Sequence, residues 1–402
     1  MQYINLKEQN PTKVTQKLTK QRPIRILHVV GGMVRAGTET WLMHILRNID
    51  RDAFQMDFLV HTNAECDYDA EIRALGSKVI PCVNSSQPWL YARNFRRVLR
   101  DNEPYDIVHS HVHHFSGFVL WLAKRAGVPV RIAHSHLDSS VVESKSGLKR
   151  RLYTDLTKAL IAKNATVGLS ASHQALEDLF YQTKTTEQRW QLLLCGVNLK
   201  PFKDETNSQQ IRAELGIPSD AFVIGHVARF HPQKNHQYVI DIAAEVAKRE
   251  PKMRLLLVGE GELATDIKQK VIQMGLTDKV IFAGVRSDIA RLMMGAMDVF
   301  VFPSLYEGLG LVLIEAQAAG LPCILSDVIP EEADVVKPLM KRMSLLKPAY
   351  SWAEAILATR KTEKNITQQQ ALKCIEQSSF NIQNSLKNLE NIYVEESNVL
   401  CP

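Results

Sequence analysis

Two glutamates and two glycines near residue 310 are the residues whose types and spacing point most directly to chemistry. Glu307 and Glu315 bracket Gly308 and Gly310. Glycine carries no Cβ, so its backbone can approach a phosphate closely, and a helix that begins there directs free N–H groups at the anion. Carboxylates are good acceptors for sugar hydroxyls. The stretch therefore predicts a site for a sugar nucleotide; the alternative is an ordinary strand-to-helix turn with solvent-facing glutamates.

The residues on both sides of this stretch predict a strand, a loop and a helix. The run 298–302 is apolar, β-branched and aromatic, as in a buried strand, and Pro303 ends it. The helix is predicted from apolar residues at helical spacing and a glycine at the cap position, namely Leu311, Ile314, Ala318 and Gly320. Ligands of parallel sheets bind at the carboxyl ends of strands. We therefore expect backbone contacts to the ligand from Gly308, Leu309, Gly310 and Leu311.

A loop earlier in the second half of the chain supplies two cations. The run 222–228 predicts a strand, and Arg229 and Lys234 stand at the two ends of the loop that follows it. An arginine and a lysine over the carboxyl edge of a strand form a suitable pair to hold a diphosphate. The alternative is an arginine and a lysine on the surface without a ligand.

The first half of the chain opens with a similar unit. The strand predicted over 24–30 leads into a glycine-rich loop with Gly32, Gly37 and Thr38. We expect Thr38 to cap the helix that follows, with Glu39 in its first turn. The loop is not a Walker motif, because no Gly-Lys-Ser/Thr follows it.

Histidines cluster at the ends of two further predicted strands. The first cluster includes His109 and His111, and the second contains His134 and His136. Imidazole is a common zinc ligand, but neither a helical His-x3-His with a glutamate nor a cysteine pair accompanies them. We therefore expect no metal. Histidines that only satisfy hydrogen bonds at strand ends are the alternative to a functional role.

The ordered set of motifs resembles the retaining glycosyltransferases of the GT4 family, from about Arg25 to about Tyr393. The resemblance implies an α/β fold of the GT-B type, in which two facing Rossmann-like, doubly wound domains enclose a deep cleft. It also implies that the donor nucleotide binds the second domain and that the acceptor binds mainly the first. No metal or other cofactor is implied, since cations of the protein would neutralise the departing diphosphate.

The resemblance assigns roles to individual positions. It implies that Glu307 holds sugar hydroxyls, that Glu315 holds the ribose and that His111 lies near the transferred sugar, with His134 and His136 behind it. Donor phosphates, the base edge or the acceptor would contact the remaining positions, which are Gly32, Gly37, Thr38, Arg229, Lys234, Val285, Arg286 and the loop 308–311. Asp288 after the base-reading turn could equally be a helix-start residue. The residues expected to be catalytic are Glu307, His111, Arg229 and Lys234.

One position departs from the pattern of the family. Most members carry Asn-Gly where this chain has Cys195-Gly196, and the consequence of the thiol is left open. Two other segments, 225–236 and 131–136, resemble bacterial exopolysaccharide and capsule enzymes. They imply transfer of a hexose or N-acetylhexosamine from a nucleotide sugar, expected to be UDP-linked, to a lipid-linked or saccharide acceptor. The alternatives are a sugar-nucleotide epimerase, a non-catalytic partner-binding protein and a transferase acting on soluble acceptors.

Length and pattern predict the organisation of the chain. The 402 residues suffice for two domains with separate cores. Strands alternating with helices predict parallel, doubly wound sheets. We expect a flexible tail at 1–22, an acceptor domain at 23–199, a donor domain at 200–370 and a helical segment at 371–402 that packs back on the first domain. Residues 203–211 are expected to be a linker or surface segment.

Composition narrows the possible environments and partners. Hydrophobic residues make up 45% and charged residues 23%, as in soluble globular proteins, and no apolar run predicts a signal or a membrane span. Six scattered cysteines are typical of a reducing cytoplasm. Residues 1–200 hold 27 Lys and Arg against 18 Asp and Glu, and many lie at helical spacing. This surface could contact an anionic membrane or be simply solvated; no pattern indicates nucleic-acid binding.

Overall fold

The computed structural model describes residues 22–102, 104–136, 147–180, 189–361 and 366–399. The tail predicted at 1–22 lies outside these residues except for Arg22. Two wholly parallel sheets organise the described part of the chain, one in each half. The predicted α/β class with two Rossmann-like halves is confirmed.

The first sheet has seven strands in the order β3-β2-β1-β4-β5-β6-β7. Its strands are β1 Ile24–Val30, β2 Phe54–Val60, β3 Val79–Pro81, β4 Ile107–Ser110, β5 Val130–Ser135, β6 Val167–Ser170 and β7 Trp190–Leu192. The helices between them are α1 Gly37–Asn48, α2 Asp69–Ala74, α3 Pro88–Asp101, α4 Ser116–Arg125, α5 Leu148–Asn164 and α6 His173–Phe180. The central strands are buried on both faces, as their continuous apolar runs require.

The second sheet has six strands in the order β10-β9-β8-β11-β12-β13. Its strands are β8 Phe222–Val227, β9 Met253–Val258, β10 Val280–Phe282, β11 Val299–Phe302, β12 Cys323–Ser326 and β13 Met340–Met343. The helices are α7 Ser208–Glu214, α8 His236–Ala247, α9 Ala264–Gln273, α10 Ile289–Gly295, α11 Leu311–Ala318, α12 Ala349–Ala358, α13 Gln368–Gln377 and α14 Ile382–Val399.

Strand order reverses at one point in each sheet, between β1 and β4 and between β8 and β11. Connections leave in opposite directions there and open a crevice at the carboxyl ends of the strands. The glycine loop and the histidines follow β1, β4 and β5, whereas the cations and the glutamates follow β8 and β11. The chain therefore places both sets of candidate residues at the switch points of their sheets.

Two neighbouring segments carry the chain between the halves. Val197 pairs with Asn381 in a parallel bridge, and Ile382 donates its N–H to the Val197 carbonyl at 3.1 Å. A Cβ on Gly196 would lie 2.6 Å from the Ile382 Cα, so only glycine fits beside the start of α14. The two crossings therefore run side by side.

The segment predicted as one unit at 371–402 divides at this crossing. Helix α13 packs into the core of the second sheet through Ala371, Leu372 and Ile375. Helix α14 packs into the core of the first sheet, where Tyr393 is fully buried and the Trp41 indole N–H donates to Ser385 at 3.1 Å. The limits predicted for the domains remain predictions, but only the part after 381 packs on the first half.

Several short elements were missed by the sequence analysis, helix α6 among them. Strands β7 and β13 have three and four residues at sheet edges, too few to show a period of two. Helix α7 occupies much of the stretch predicted as a linker, 203–211, and the Asn207 side chain caps it by accepting from the Gln210 N–H at 3.1 Å. No helix within the described ranges is long and apolar enough to cross a bilayer.

Candidate active site at the facing sheet edges

The loop after β8 is fastened to the loop after β11 by an ion pair. The Lys234 ammonium donates to Glu307 Oε1 at 2.5 Å, and the Glu307 side chain is only 6% exposed. The Gln233 amide donates to the Tyr306 carbonyl at 2.9 Å and to Glu307 Oε2 at 3.3 Å. These bonds hold the lysine and the glutamate in place without a ligand, so their geometry is preorganised.

Arg229 differs from Lys234 because its charge is uncommitted. It lies exposed just beyond the carboxyl end of β8, and among the described residues no side-chain hydrogen bond or ion pair holds its guanidinium. It attracts the Glu39 carboxylate in the first turn of α1, which belongs to the other half of the chain. The positive end of this site is therefore one paired lysine and one available arginine.

The start of α11 supplies backbone donors beside these cations. Gly310 has φ of +85°, a conformation that favours glycine, and an added Cβ would lie 3.2 Å from a ring carbon of Phe302. No side chain caps the helix. Within the described structure, the N–H groups of residues 308–312 donate to no backbone carbonyl of a turn, loop or cap. Free amides at a helix start, next to a lysine held by Glu307, are suited to a phosphate group.

Glu315 lies one turn into α11 and is half-buried. Burial raises the pKa of its carboxyl to about 7. In the part of the chain that is described, no hydrogen bond or ion pair holds this carboxyl. It is therefore an unoccupied acceptor for ligand hydroxyls, and it is poised to change its charge near neutral pH.

The turn after β10 carries the residues predicted to read the base. Val285 is exposed, whereas Arg286 is held by Asp288 through two hydrogen bonds of 2.7 Å. Asp288 stands directly before α10 but makes no capping hydrogen bond, because its carboxylate serves Arg286 and also Arg291 at 3.3 Å. The side chain of Arg286 is thus committed within the turn.

The glycine loop of the first half faces the same region. Helix α1 begins at Gly37 and its N-cap is Ala36, so the prediction that Thr38 caps it is wrong. The reason is that the Thr40 N–H already donates to the Ala36 carbonyl at 2.8 Å, which starts the helix two residues earlier. Gly32 is crowded, since an added Cβ would lie 3.1 Å from the Cys66 sulfur. Burial raises the pKa of Glu39 to about 7 against the attraction of Arg229.

Imidazoles of β1, β4 and β5 meet at the carboxyl edge of the first sheet in two hydrogen-bonded rows. In the first row, His111 Nε2 lies 3.0 Å from His28 Nδ1, His111 Nδ1 lies 2.9 Å from His136 Nε2, and His136 Nδ1 lies 3.7 Å from the Cys195 sulfur. In the second row, His109 lies 2.8 Å from the Tyr393 hydroxyl and 3.2 Å from His134 Nδ1. The rings of the two rows lie against one another, with 4.2 Å between the centroids of the tilted His109 and His111 rings.

This arrangement settles the resting state of His111. Both of its ring nitrogens are engaged by other histidines. Burial, and then the neighbouring imidazoles, lower its pKa well below the usual value, so the ring is neutral. Nitrogen atoms in two groups of three histidines lie within 4.8 Å of one another, a spacing that would admit a metal ion, yet several of them hydrogen-bond to one another instead. That no metal is needed remains a prediction.

The two sheet edges are in contact. Leu311 at the start of α11 packs against the cores of both halves. The His173 ring at the start of α6 pairs with Glu332 of the second half at 2.6 Å. The donors at 308–312 therefore lie where the two halves meet.

The structure adds residues that the sequence analysis did not select. Gln233 fastens the two loops, and His28, Tyr393 and Cys195 complete the histidine rows. Gln233 lies between Arg229 and Lys234 in the sequence, and this position is the one feature that could have indicated its role. The others are far apart in sequence, and nothing local marks them. The predicted roles of the site residues remain predictions.

Comparisons with known proteins agree with this geometry. Residues 207–378 match the family Glycosyl transferases group 1, and residues 36–184 match the Glycosyl transferase 4-like domain. EpsF of Bacillus subtilis, which is described as a glycosyltransferase, is 41% identical over 83% of this chain and 86% of its own length. An α-1,3-galactosyltransferase of Escherichia coli acting from UDP-Gal on GlcNAc-diphosphoundecaprenol is 27% identical over 74% of this chain and 77% of its own.

Among solved structures, Anabaena HepE in complex with UDP and glucose superposes with a TM-score of 0.77 at 19% identity, covering 92% of this chain and 99% of that one. This likeness shows the fold. The two parallel sheets, each with candidate site residues at its carboxyl edge, have the GT-B fold. The chain belongs to the group 1 glycosyltransferases of the GT4 family, and it is a nucleotide-sugar glycosyltransferase.

Proposed function

We propose that the protein transfers a hexose or N-acetylhexosamine, with retention of anomeric configuration, from a UDP-sugar to a lipid-linked or saccharide acceptor in the synthesis of an exopolysaccharide, capsule or other envelope polysaccharide. The observation that carries this proposal is the preorganised pair Lys234 and Glu307 beside the uncommitted Arg229 and the free amides at the start of α11. The relatives named above support the donor, the acceptor and the pathway.

The diphosphate would be bound by charge and by amides. Arg229 would form a bidentate contact, and Lys234 would use the ammonium protons not taken by Glu307. The negative charge on the departing diphosphate grows in the transition state, and fixed donors stabilise it without reorganising. In this proposal the reaction proceeds without a metal.

The glutamates would hold the two sugars of the donor. Glu307, fixed by Lys234 and Gln233, would accept hydroxyls of the transferred sugar, and Glu315 would accept the ribose hydroxyls. The base would lie against the backbone of residues 285 and 286. His111 would hydrogen-bond to a sugar hydroxyl once its contact with His28 opens, because both of its ring nitrogens are engaged in the resting structure. Its lowered pKa makes proton transfer by this ring unfavourable.

Donor binding and turnover test this proposal separately. UDP-, GDP- and ADP-sugars are added in a thermal shift assay, where a ligand that binds the folded state raises the midpoint. We expect UDP-sugars to stabilise the wild type and not Lys234→Ala. Release of UDP that depends on an undecaprenyl-diphosphate sugar would then establish transfer. Stabilisation by none of the sugars contradicts the donor assignment, and isomerised donor without UDP release indicates an epimerase.

The exposed face of helix α5 supports a location of the protein at a membrane surface. The inward face of α5 carries Thr154, Thr157, Ile161 and Asn164, whereas Leu148, Leu152 and Leu156 point outward and are 75%, 62% and 62% exposed. Gly117 of α4 allows close contact with the threonine face, since a Cβ there would lie 2.4 Å from the Thr157 carbonyl oxygen. A leucine row on the solvent side of a helix requires a partner.

Charge favours an anionic lipid surface as that partner. Lys149, Arg150 and Arg151 lie exposed in the first turn of α5, and α3 exposes Trp89 together with Arg93 and Arg97. Basic residues beside exposed leucine and tryptophan are typical of helices that lie in a membrane interface. We propose that this face rests on the inner face of the cell membrane, where lipid-linked acceptors are found.

Vesicle co-sedimentation tests this surface. We expect binding to vesicles that contain phosphatidylglycerol and not to pure phosphatidylcholine. Replacing Leu148, Leu152 and Leu156 by Gln should abolish binding, whereas Leu346→Gln, at a leucine 97% exposed in the second half, should not. Unchanged binding of the triple variant contradicts the assignment. A wild-type dimer that the triple variant turns into a monomer would assign the face to a second copy.

A further inference from the structure

Each histidine row begins at a hydroxyl or thiol from a distant segment and ends at a buried nitrogen. Cys195 lies in the crossing between the halves and is 2% exposed, and Tyr393 lies in α14 and is fully buried. At the other ends, His28 Nε2 and His134 Nε2 are buried and have no hydrogen-bond partner within the described residues. The rows are therefore directional, with a distinct start and a distinct end.

A neutral imidazole has one N–H donor and one acceptor nitrogen, so each ring in a row fixes the tautomer of the next. The Cys195 thiol keeps its proton, because burial raises its pKa. Its only hydrogen-bond partner in the described structure is His136 Nδ1 at 3.7 Å, so the thiol donates there. His136 must then carry its proton on Nε2 and donate to His111 Nδ1.

The same rule continues along the row. His111 accepts at Nδ1, so its own proton lies on Nε2 and points to His28 Nδ1. His28 then carries its proton on the unpartnered Nε2. The reverse order would leave the thiol proton without an acceptor and His28 Nε2 as an acceptor without a donor, which makes two unpartnered groups. The favoured order leaves one, the His28 Nε2–H.

We propose that Cys195 and His136 are positioning residues that hold His111 in its Nε2–H tautomer, and that this tautomer sets which sugar hydroxyl the site accepts. Of the rings in contact here, His111 and His136 are partly exposed, whereas His28, His109 and His134 are fully buried. A hydroxyl that reaches His111 therefore meets an N–H donor at Nε2, which is released when the contact with His28 opens. The link from this tautomer to a sugar hydroxyl rests on the proposed function, whereas the assignment of the tautomer itself does not.

The thiol thus does the work of a hydrogen-bond donor. An amide at the same position could donate to His136 Nδ1 in the same way, and a serine hydroxyl could as well. An alanine could not, and the His136 and His111 rings would be free to exchange tautomers. The second row gives an internal control, because the Tyr393 hydroxyl is 2.8 Å from His109 and not hydrogen-bonded to His111.

Long-range 1H–15N correlation spectra of the histidine-labelled protein report each tautomer directly. We expect His111 and His136 of the wild type as Nε2–H. Cys195→Ala should give a tautomer mixture at both rings, and Cys195→Ser should restore the wild-type pattern. Tyr393→Phe should change His109 and His134 and leave His111 and His136 unchanged. Cys323→Ala, which removes a buried thiol of the second half, should change neither row.

A wild-type His111 in the Nδ1–H form overturns the proposal without any variant, as does a Cys195→Ala spectrum in which both rings are unchanged. Kinetics then test the link to the reaction. We expect kcat of Cys195→Ala to fall about tenfold, the loss expected from one hydrogen bond, with recovery in Cys195→Ser. If the spectra are as expected but kcat is unchanged, the tautomer assignment stands and its role in the reaction is rejected. Failure of the proposed function itself would appear as absence of transfer in the wild type.

Discussion

The carboxyl edges of the two sheets have the same topology and opposite chemistry. At the second edge, charged groups are fixed by short ion pairs, as Lys234 is by Glu307. At the first edge, neutral imidazoles are stacked and hydrogen-bonded in the interior, as His109 and His134 are. The second edge is suited to a permanent anion, and the first to hydroxyls that need orientation rather than charge. Each of the following predictions tests this contrast.

The largest effect is expected from removing charge at the second edge. Arg229→Ala or Lys234→Ala should each lower kcat about 100- to 1,000-fold, because a fixed donor to the developing diphosphate is lost. Lys252→Ala is the matched control, since this exposed lysine of the second half pairs with Asp220 and with no other carboxylate among the described residues. Steady-state transfer kinetics provide the measurement. Normal turnover of both Arg229 and Lys234 variants would mean that the second edge does not stabilise the leaving group.

The first edge should instead be sensitive to acid. Burial lowers the pKa of His28 to about 3 and, with repulsion from His113, that of His136 to about 3, whereas unfolded histidines titrate near 6.5. The unfolded chain then binds more protons between these values, so stability is complete above about pH 6.5 and falls as the pH drops toward 3. Each such histidine costs about 1.4 kcal/mol per pH unit in that window.

Hydrogen exchange at pH 7.5 and pH 5 would show where this loss occurs. The second half also buries two histidines with lowered pKa, His226 and His236, but the first half gathers five at one edge. We expect β1, β4 and β5 to gain more exchange, after correction for intrinsic rates, than β8 and β11. Equal changes in both sheets would show that the histidine rows do not dominate acid stability.

Glu315 is a group at the second edge whose charge should change near neutral pH. Burial raises its pKa to about 7, and only the carboxylate form can accept from two ribose hydroxyls. Donor affinity should therefore rise as pH increases through 7, by up to about tenfold for one charge-assisted hydrogen bond. Calorimetry with a UDP-sugar is suitable because its diphosphate diester does not titrate there. Glu315→Gln should bind weakly with no such dependence; an equally steep profile in that variant contradicts the role.

The sequence predicted the second edge better than the first, for a physical reason. Gly310, Arg229 and Lys234 lie in short loops directly after predicted strands, and a short window of sequence contains that information. The meeting of His28 with His111 depends on the register of β1 against β4, which pairs His28 with His109. Cys195 and Tyr393 come from segments brought there by the crossing between the halves. Such contacts are set by tertiary packing, which no local pattern encodes.

The errors in the prediction also have two sources, local backbone geometry and tertiary packing. The predicted cap at Thr38 missed the N-cap of α1 by two residues, because Ala36 supplies the first carbonyl. The division of 371–402 could not be foreseen, since α13 and α14 both have apolar faces that suit either core. The two-sheet architecture was predictable because alternation of buried strands and helices repeats along the whole chain.

The smallest effect is expected at a cation that the protein has already neutralised. Arg286 is held by Asp288 through two bonds of 2.7 Å, so the turn would offer the base its backbone and not this side chain. Arg286→Ala should weaken UDP-sugar binding about threefold or less, the range of an exposed ion pair. Asp288→Ala should release the guanidinium and reduce selectivity for uracil over guanine, because the turn loses the hydrogen bonds between Arg286 and Asp288 that fix it. Competition calorimetry with UDP- and GDP-sugars measures both. A loss at Arg286→Ala as large as at Arg229→Ala would show that the arginine leaves Asp288 to bind the donor, and the distinction between committed and available cations would fail.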